Sequence, residues 1–329
     1  MKSVDSPYLS IVIPLYNEEE VVPELLKQLL SVCQPLNKSF EIILVDDGSI
    51  DKTHDLLIDA SRKDPRVKVI RFSRNFGHQA AFNAGIDVAS GDLVLTMDGD
   101  LQHPPHLIPN FIRSAEEGND IVIGERTNNK QNSRLRNSAN GRVYKFLSAI
   151  TNLEFRNASD FALYKRRVVD VLKQLPEKER FLRGIVQWVG FKKKYIPYVV
   201  ELRRHGKAKY NFKRLFSLIM SGVTSFSAFP LRIAFWFGLT VMAISFIFGV
   251  FVVYDHYVHP NPLIAGWATV VILILFLGSV QLTILGVVGE YLYKMFNEVK
   301  GRPLYIISEA YNLDDEDIKP SVYGIHVTK

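Results

Sequence analysis

The 329-residue chain has one cysteine, Cys33. A single thiol excludes an intramolecular disulfide framework and any multi-cysteine zinc site, and it fits a reducing compartment. An apolar leader is also missing. Residues 1–10 are polar, which predicts no signal peptide and a soluble part that stays in the cytosol. No G-x-G-x-x-G follows the first apolar segment and no G-K-[ST] loop occurs, so dinucleotide and P-loop chemistry lack support. RNA- and DNA-binding motifs are absent as well, which argues against a nucleic-acid partner despite the net charge of +6.

One region lacks charge almost entirely. Within it, two apolar runs at about 233–254 and 264–288 each exceed the roughly 20 residues that span a bilayer as a helix. The short connector 255–262 has no Lys or Arg, whereas Lys213, Arg214, Arg232, Lys294, Lys300 and Arg302 flank the outer ends. The positive-inside rule then predicts a transmembrane hairpin with the soluble part and both termini cytoplasmic. The basic excess crowds the stretch before it, from Lys192 through Arg203 and Lys209 to Arg214. Such charge favours anionic lipid headgroups or phosphate ligands, or serves only to set topology. Residues 211–229 alternate Phe and Leu with basic and small polar residues. They are expected to form interfacial amphipathic helices, with a soluble helix packed on the main domain as the alternative.

The first part of the chain repeats a strand-then-helix rhythm, with strands expected at 8–13, 40–45, 67–72 and 93–97 and a further one at 121–124. Alternation of this kind implies an α/β domain with a mainly parallel sheet, whose ligands bind outside the carboxyl ends of the strands. Each strand is followed by a polar cluster. Pro14, Tyr16, Asn17 and Glu18 offer a rigid turn, an aromatic face and polar groups for a base and ribose. Asp46 and Asp47 either bind a base edge or cap the next helix. Asp98-Gly99-Asp100 is sharper. Two carboxylates one residue apart can share Mg2+ or Mn2+ with two phosphates, Gln102 can add an oxygen, and a plain acidic turn is the alternative.

Pro14-x-Tyr-Asn-Glu, Val45-Asp-Asp-Gly-Ser, Arg74-Asn-Phe-Gly and Asp98-Gly-Asp-Leu-Gln-His-Pro-Pro105 occur in this order. Together they resemble the family 2 glycosyltransferases of GT-A fold, in the branch that uses dolichyl or polyprenyl phosphate, and most of all the bactoprenol glucosyltransferases. The resemblance implies a Rossmann-like catalytic domain over 1–210, interfacial helices over 211–229, two transmembrane helices within 230–290 and a cytosolic tail over 291–329. It implies that Pro14, Tyr16, Asn17, Glu18, Val45, Asp47, Asp98 and Gly99 hold the nucleotide sugar. Asp98, Asp100 and Gln102 would bind the metal, and Arg126 would reach the donor phosphates. Arg203, Lys209, Arg134 and Arg183 would serve the lipid phosphate. Asp160 matches the acidic position near the acceptor, with a helix cap or an ion pair to Arg166 as its structural alternatives. Where the family often carries Ser-Lys, this chain has Ala208-Lys209.

The expected reaction is inverting transfer of a sugar, glucose from UDP-glucose foremost, to polyprenyl phosphate, with GDP-mannose as the alternative donor. The setting implied is the cell inner membrane, with membrane lipids and a second copy of the chain as partners. A processive polysaccharide synthase is the less favoured rival, because Gln187-Trp188 lacks the Q-x-x-R-W pattern and two spans cannot enclose a polymer pore. A non-catalytic membrane adaptor is disfavoured by the intact acidic and arginine positions. In the tail, a strand is expected at 304–308, paired either with the domain or with another subunit.

Overall fold

The computed structural model describes residues 6–127, 158–175, 177, 182–199, 229–258, 267–313 and 326–328. They belong to two units. The first combines Met1–Ser148, Leu153–Tyr210 and Pro303–Lys329, and the second Ala149–Asn152 and Asn211–Arg302.

In the first unit, β1 (Leu9–Leu15), α1 (Val22–Cys33), β2 (Phe40–Asp46), α2 (Thr53–Lys63), β3 (Val67–Phe72), α3 (His78–Val88) and β4 (Leu93–Thr96) alternate as the sequence rhythm requires. There follow α4 (Ile108–Glu116), β5 (Ile121–Thr127), β6 (Ala158–Lys165), α5 (Arg166–Gln174), α6 (Leu182–Trp188) and β7 (Lys193–Val199). With the tail strands β8 (Ile307–Tyr311) and β9 (His326–Thr328) they make one sheet of order β7-β5-β6-β4-β1-β2-β3-β8-β9. β1 runs parallel to both β2 and β4, and β2 parallel to β3, while β6 is antiparallel to β4 and β5.

Every residue of β1 and β2 is buried. Strands covered on both faces need apolar side chains on both, so these read as continuous hydrophobic runs. α1 places Val22, Leu25, Leu29 and Cys33 on one face at helical spacing and buries them against the sheet. β2 also buries one charge at its far end. Glu41 meets Lys68 of β3 as an ion pair at 2.7 Å, and its other oxygen accepts hydrogen bonds from the Ser10 hydroxyl and from the amide and hydroxyl of Ser90.

The tail strand begins at Ile307, three residues later than expected, and pairs antiparallel with β3 of the same chain. The ladder opens at the Phe72–Ile307 pair, beside an irregularity at Arg71/Phe72. Tyr305, upstream of it, stacks its ring on Phe72 with centroids 5.1 Å apart. Tyr305 thus packs its ring on Phe72 ahead of the strand, and its hydroxyl donates to Asp87 Oδ2 at 3.1 Å.

The second unit contains α7 (Phe229–Val258) and α8 (Trp267–Val299). Phe229–Phe248 and Phe276–Val299 are long and apolar enough to cross a membrane. Phe235, Phe246 and Leu282 of these helices are 64%, 74% and 71% exposed. Burial of each such side chain is worth about 1.5–3 kcal/mol, so hydrocarbon is the solvent that suits this surface. α8 runs well past Val288, the expected end of the second span. Nothing in Tyr291–Val299 breaks a helix, and it stops only where Gly301 and Pro303 follow. Of the interfacial helices expected over 211–229 and the connector expected over 255–262, Phe229 and 255–258 instead belong to α7, which runs on past the expected end of the span. The remainder lies outside the described residues.

Candidate active site

β1 ends at Leu15 beside Asp46, the last residue of β2, and β4 ends at Thr96 in register with Val12. The three carboxyl ends open onto a cavity of ≈ 310 Å³, lined by Pro14, Leu15, Tyr16, Glu18, Asp47, Asn75, Gly77, His78, Asp98, Gly99 and Asp100. Seven residues singled out from sequence therefore share one wall. Val45 and Asn17 are not part of the cavity lining. Val45 is fully buried in β2. Asn17, at φ 53°, accepts a hydrogen bond from the Ile50 amide and donates its own amide to Ser49 Oγ. The turn after β1 is thereby tied to the turn after β2, leaving Tyr16 44% exposed at the mouth.

Asp46 and Asp47 do not cap α2. Asp46 Oδ1 accepts from the Ser49 amide at 2.8 Å. The Asp47 carboxylate accepts from the amides of Phe76 (2.7 Å) and Gly77 (3.0 Å), drawing the segment between β3 and α3 over the cavity. Burial raises the pKa of Asp47 and outweighs those two hydrogen bonds.

Asp98 is the electrostatic centre. Its Oδ1 lies 2.9 Å from His78 Nε2, and its Oδ2 lies 3.4 Å from His103 Nε2 and 3.8 Å from Arg126 Nη2. Burial alone would raise its pKa. The His78 hydrogen bond and the nearby His103, His78 and Arg126 charges prevail and hold the carboxyl far below the usual range. The same contact raises His78 above its ordinary value, against the opposing effect of burial. His103, fully buried and stacked on Phe161, is lowered by burial foremost. Its Nδ1 accepts the Asp98 amide at 2.9 Å, and its Nε2 lies between the Asp98 carboxylate at 3.4 Å and Arg126 Nη2 at 3.3 Å. Gly99 packs closely on β1, since a Cβ there would stand 2.4 Å from Leu15 Cδ2 and 3.2 Å from the Pro14 carbonyl oxygen. Asp100 Oδ1 accepts the Gln102 amide at 3.1 Å across Leu101, whose φ is 60°.

Asp160 sits inside β6, not at a helix start, and its partner is Arg183, not Arg166. Arg183 of α6 grips both carboxylate oxygens, at 2.8 and 2.6 Å. Arg166 instead donates to the carbonyls of Ala89 and Gly91. Arg126 donates Nε to the Tyr198 hydroxyl at 3.1 Å, which fixes it beside Asp98 and His103. Arg134, Arg203 and Lys209 lie outside the described residues.

A divalent cation suits this donor set. Ligand atoms of His78, Asp98 and Asp160 lie within 4.8 Å of one another. The two carboxylates are the oxygen donors that Mn2+ or Mg2+ prefers, and the imidazole is a softer donor than Mg2+ ordinarily takes. Asp98 is common to this grouping and to the expected one, and Asp100 lines the same cavity. Gln102 joins the turn through its backbone. Sequence reading overlooked His78 and His103 as site residues. Each was visible within or next to a quoted motif, after Phe76-Gly77 and inside Leu101-Gln-His-Pro104.

Residues 10–172 match the family model for glycosyl transferase family 2. An uncharacterized glycosyltransferase of Bacillus subtilis is 38% identical over 308 residues, covering 93% of this chain and 95% of its own. The bactoprenol glucosyl transferase of Shigella phage SfII is 38% identical over 304 residues, with 92% and 98% covered, and that of phage SfV is 39% identical over 300, with 91% and 97%. With relatives this similar along nearly its whole length, the chain belongs to glycosyl transferase family 2.

Proposed function

We propose that the chain transfers glucose from UDP-glucose to a polyprenyl phosphate, with inversion at the anomeric carbon and release of the nucleoside diphosphate. The observation that carries this reading is the anion-poised acidic turn. Asp98 and Asp100 line a cavity at the strand ends of a family 2 transferase whose relatives include bactoprenol glucosyl transferases.

In this reading Pro14, Tyr16 and Asp47 hold the nucleoside, and Asp98 and Asp100 hold Mg2+ or Mn2+, with His78 and Asp160 within reach. A bound divalent cation neutralises the charge that builds on a departing diphosphate. Arg126 adds fixed positive charge on the same side, where a dry site makes preorganised charge count most. A phosphate monoester has a second pKa of about 6, so the acceptor oxygen arrives largely deprotonated at neutral pH and needs no strong base. Asp160, clasped by Arg183, then positions substrate. Arg203, Lys209, Arg134 and Arg183 serve the acceptor phosphate through charge-assisted hydrogen bonds.

Radiolabelled nucleotide sugars offered to the purified full-length protein with undecaprenyl phosphate test the reading. UDP-glucose should give one sugar per lipid, and GDP-mannose should give none. A product formed only from GDP-mannose, or a polymer, would sink it.

The two long helices would anchor the protein in the cell inner membrane, with the catalytic unit on the cytoplasmic side and a second copy of the chain as a partner. A cysteine introduced at position 261 should then react with a membrane-impermeant maleimide in intact cells, and one introduced at position 320 only after lysis. The reverse pattern would contradict the orientation.

A further inference from the structure

A charged network outside the cavity joins the tail strand to the turn that shapes it. In β8, Glu309 stands opposite Arg71 of β3 and bonds its Nη1 at 2.9 Å. The other oxygen of Glu309 accepts from the Tyr311 hydroxyl at 2.7 Å and lies 3.3 Å from His54 Nε2. His54, near the start of α2, is 7% exposed. Its Nδ1 lies 3.2 Å from Oδ2 of the fully buried Asp46, without an aligned hydrogen bond between them. Asp46 in turn fixes the Ser49 amide, and Ser49 receives the amide of Asn17. The turn has little slack, because a Cβ on Gly48 would stand 2.6 Å from the Arg74 backbone. Movement of Asp46 must therefore be felt at Asn17 and Tyr16.

We infer that Glu309 and His54 are positioning residues for donor binding. The strand that follows the apolar helices holds His54 against Asp46, and through the Ser49–Asn17 contact it sets the nucleoside wall of the cavity. The inference rests on the reading of the cavity as the donor site. Because the network touches no reacting atom, its loss weakens donor binding and leaves the chemical step alone, which appears as a change in KM with kcat preserved. Glu309 and His54 belong to one coupled network, which Arg71 also joins with its Nε 3.7 Å from Asp46 Oδ2, so their effects do not add.

The test uses full-length protein with Mn2+, measuring UDP affinity by calorimetry together with KM and kcat for the nucleotide sugar. Glu309→Ala should raise both Kd and KM by roughly 5- to 10-fold, about 1.0–1.4 kcal/mol, with kcat within about twofold. Adding His54→Ala should change little more. Glu309→Gln keeps the side chain's size and should recover part of the loss. It carries the same test should the alanine variant not fold. Asn312→Ala is the control. Asn312 fastens the same strand to the carbonyls of Ser61 and Val67 without touching the network, and its loss should leave Kd unchanged.

Kd and KM within about twofold of wild type in both Glu309 variants would overturn the inference. So would an equal loss in Asn312→Ala, or a fall in kcat at constant KM. Wild-type protein that bound no UDP would overturn the donor-site reading, and the inference with it.

Discussion

Asp98→Asn should lower kcat by about 10²- to 10³-fold while leaving the fold intact, the loss typical when one preorganised electrostatic group is removed. The substitution keeps size and hydrogen-bonding capacity but deletes the negative charge that His78, His103 and Arg126 converge on. Those groups then face one another across a neutral amide, and the proposed cation site loses one of its carboxylates. Two measurements separate the consequences. Steady-state transfer reports the chemical loss, and Mn2+ titration followed by electron paramagnetic resonance reports the binding loss without reference to turnover. A variant that kept more than a tenth of wild-type kcat and bound Mn2+ normally would remove Asp98 from the centre of the site.

The second large effect concerns stability, at the opposite end of the strands. Lys68→Met should destabilise the protein by about 3–5 kcal/mol at neutral pH, the usual result of removing one partner from a buried ion pair. Glu41 is 3% exposed and cannot recover water in place of the lost ammonium. The sign of its pH dependence is fixed by its shift. Burial pushes the Glu41 pKa up, but Lys68 together with the Ser10 and Ser90 hydrogen bonds brings it below the ordinary value. A carboxyl depressed in the folded state contributes stability that is complete above its unfolded pKa, about 4.3, and is lost as pH falls through the folded value. Wild type should therefore weaken in acid. In Lys68→Met burial dominates, the carboxyl prefers its proton in the folded state, and acidification should narrow the gap between variant and wild type. Urea unfolding at pH 7 and pH 4 measures both slopes. A loss below about 1 kcal/mol at pH 7, or a gap that widened in acid, would contradict the assignment.

The sheet was largely legible because its signal is local. β1 and β2 are short apolar runs, and each is followed by the polar residues that a parallel sheet sends to one edge. Pro14, Tyr16, Glu18, Asp47, Asp98, Gly99 and Asp100 met at the cavity for that reason. What escaped depends on distance along the chain. No spacing rule brings Asp160 within ligand reach of His78 and Asp98, since that proximity comes from β6 lying beside β4. The choice of Arg183 over Arg166 as the partner of Asp160 follows from where α6 packs, which periodicity does not reveal. His103 read as part of an acidic motif, and its role as the acceptor of the Asp98 amide appears only once the turn closes on itself. The start of β8 was misplaced because Tyr305 looks like a strand residue but is used as a cover for Phe72.

The solitary thiol of α1 has a practical consequence. Cys33 is fully buried, and burial, opposed only in part by the Arg66 charge, pushes its pKa up to about 12. Thiolate is the reactive form, so at neutral pH this sulfur is chemically silent. The natural protein is therefore a ready-made blank for spin labels and fluorophores. Any site of interest can carry a reporter after one substitution, with no need to strip native cysteines first.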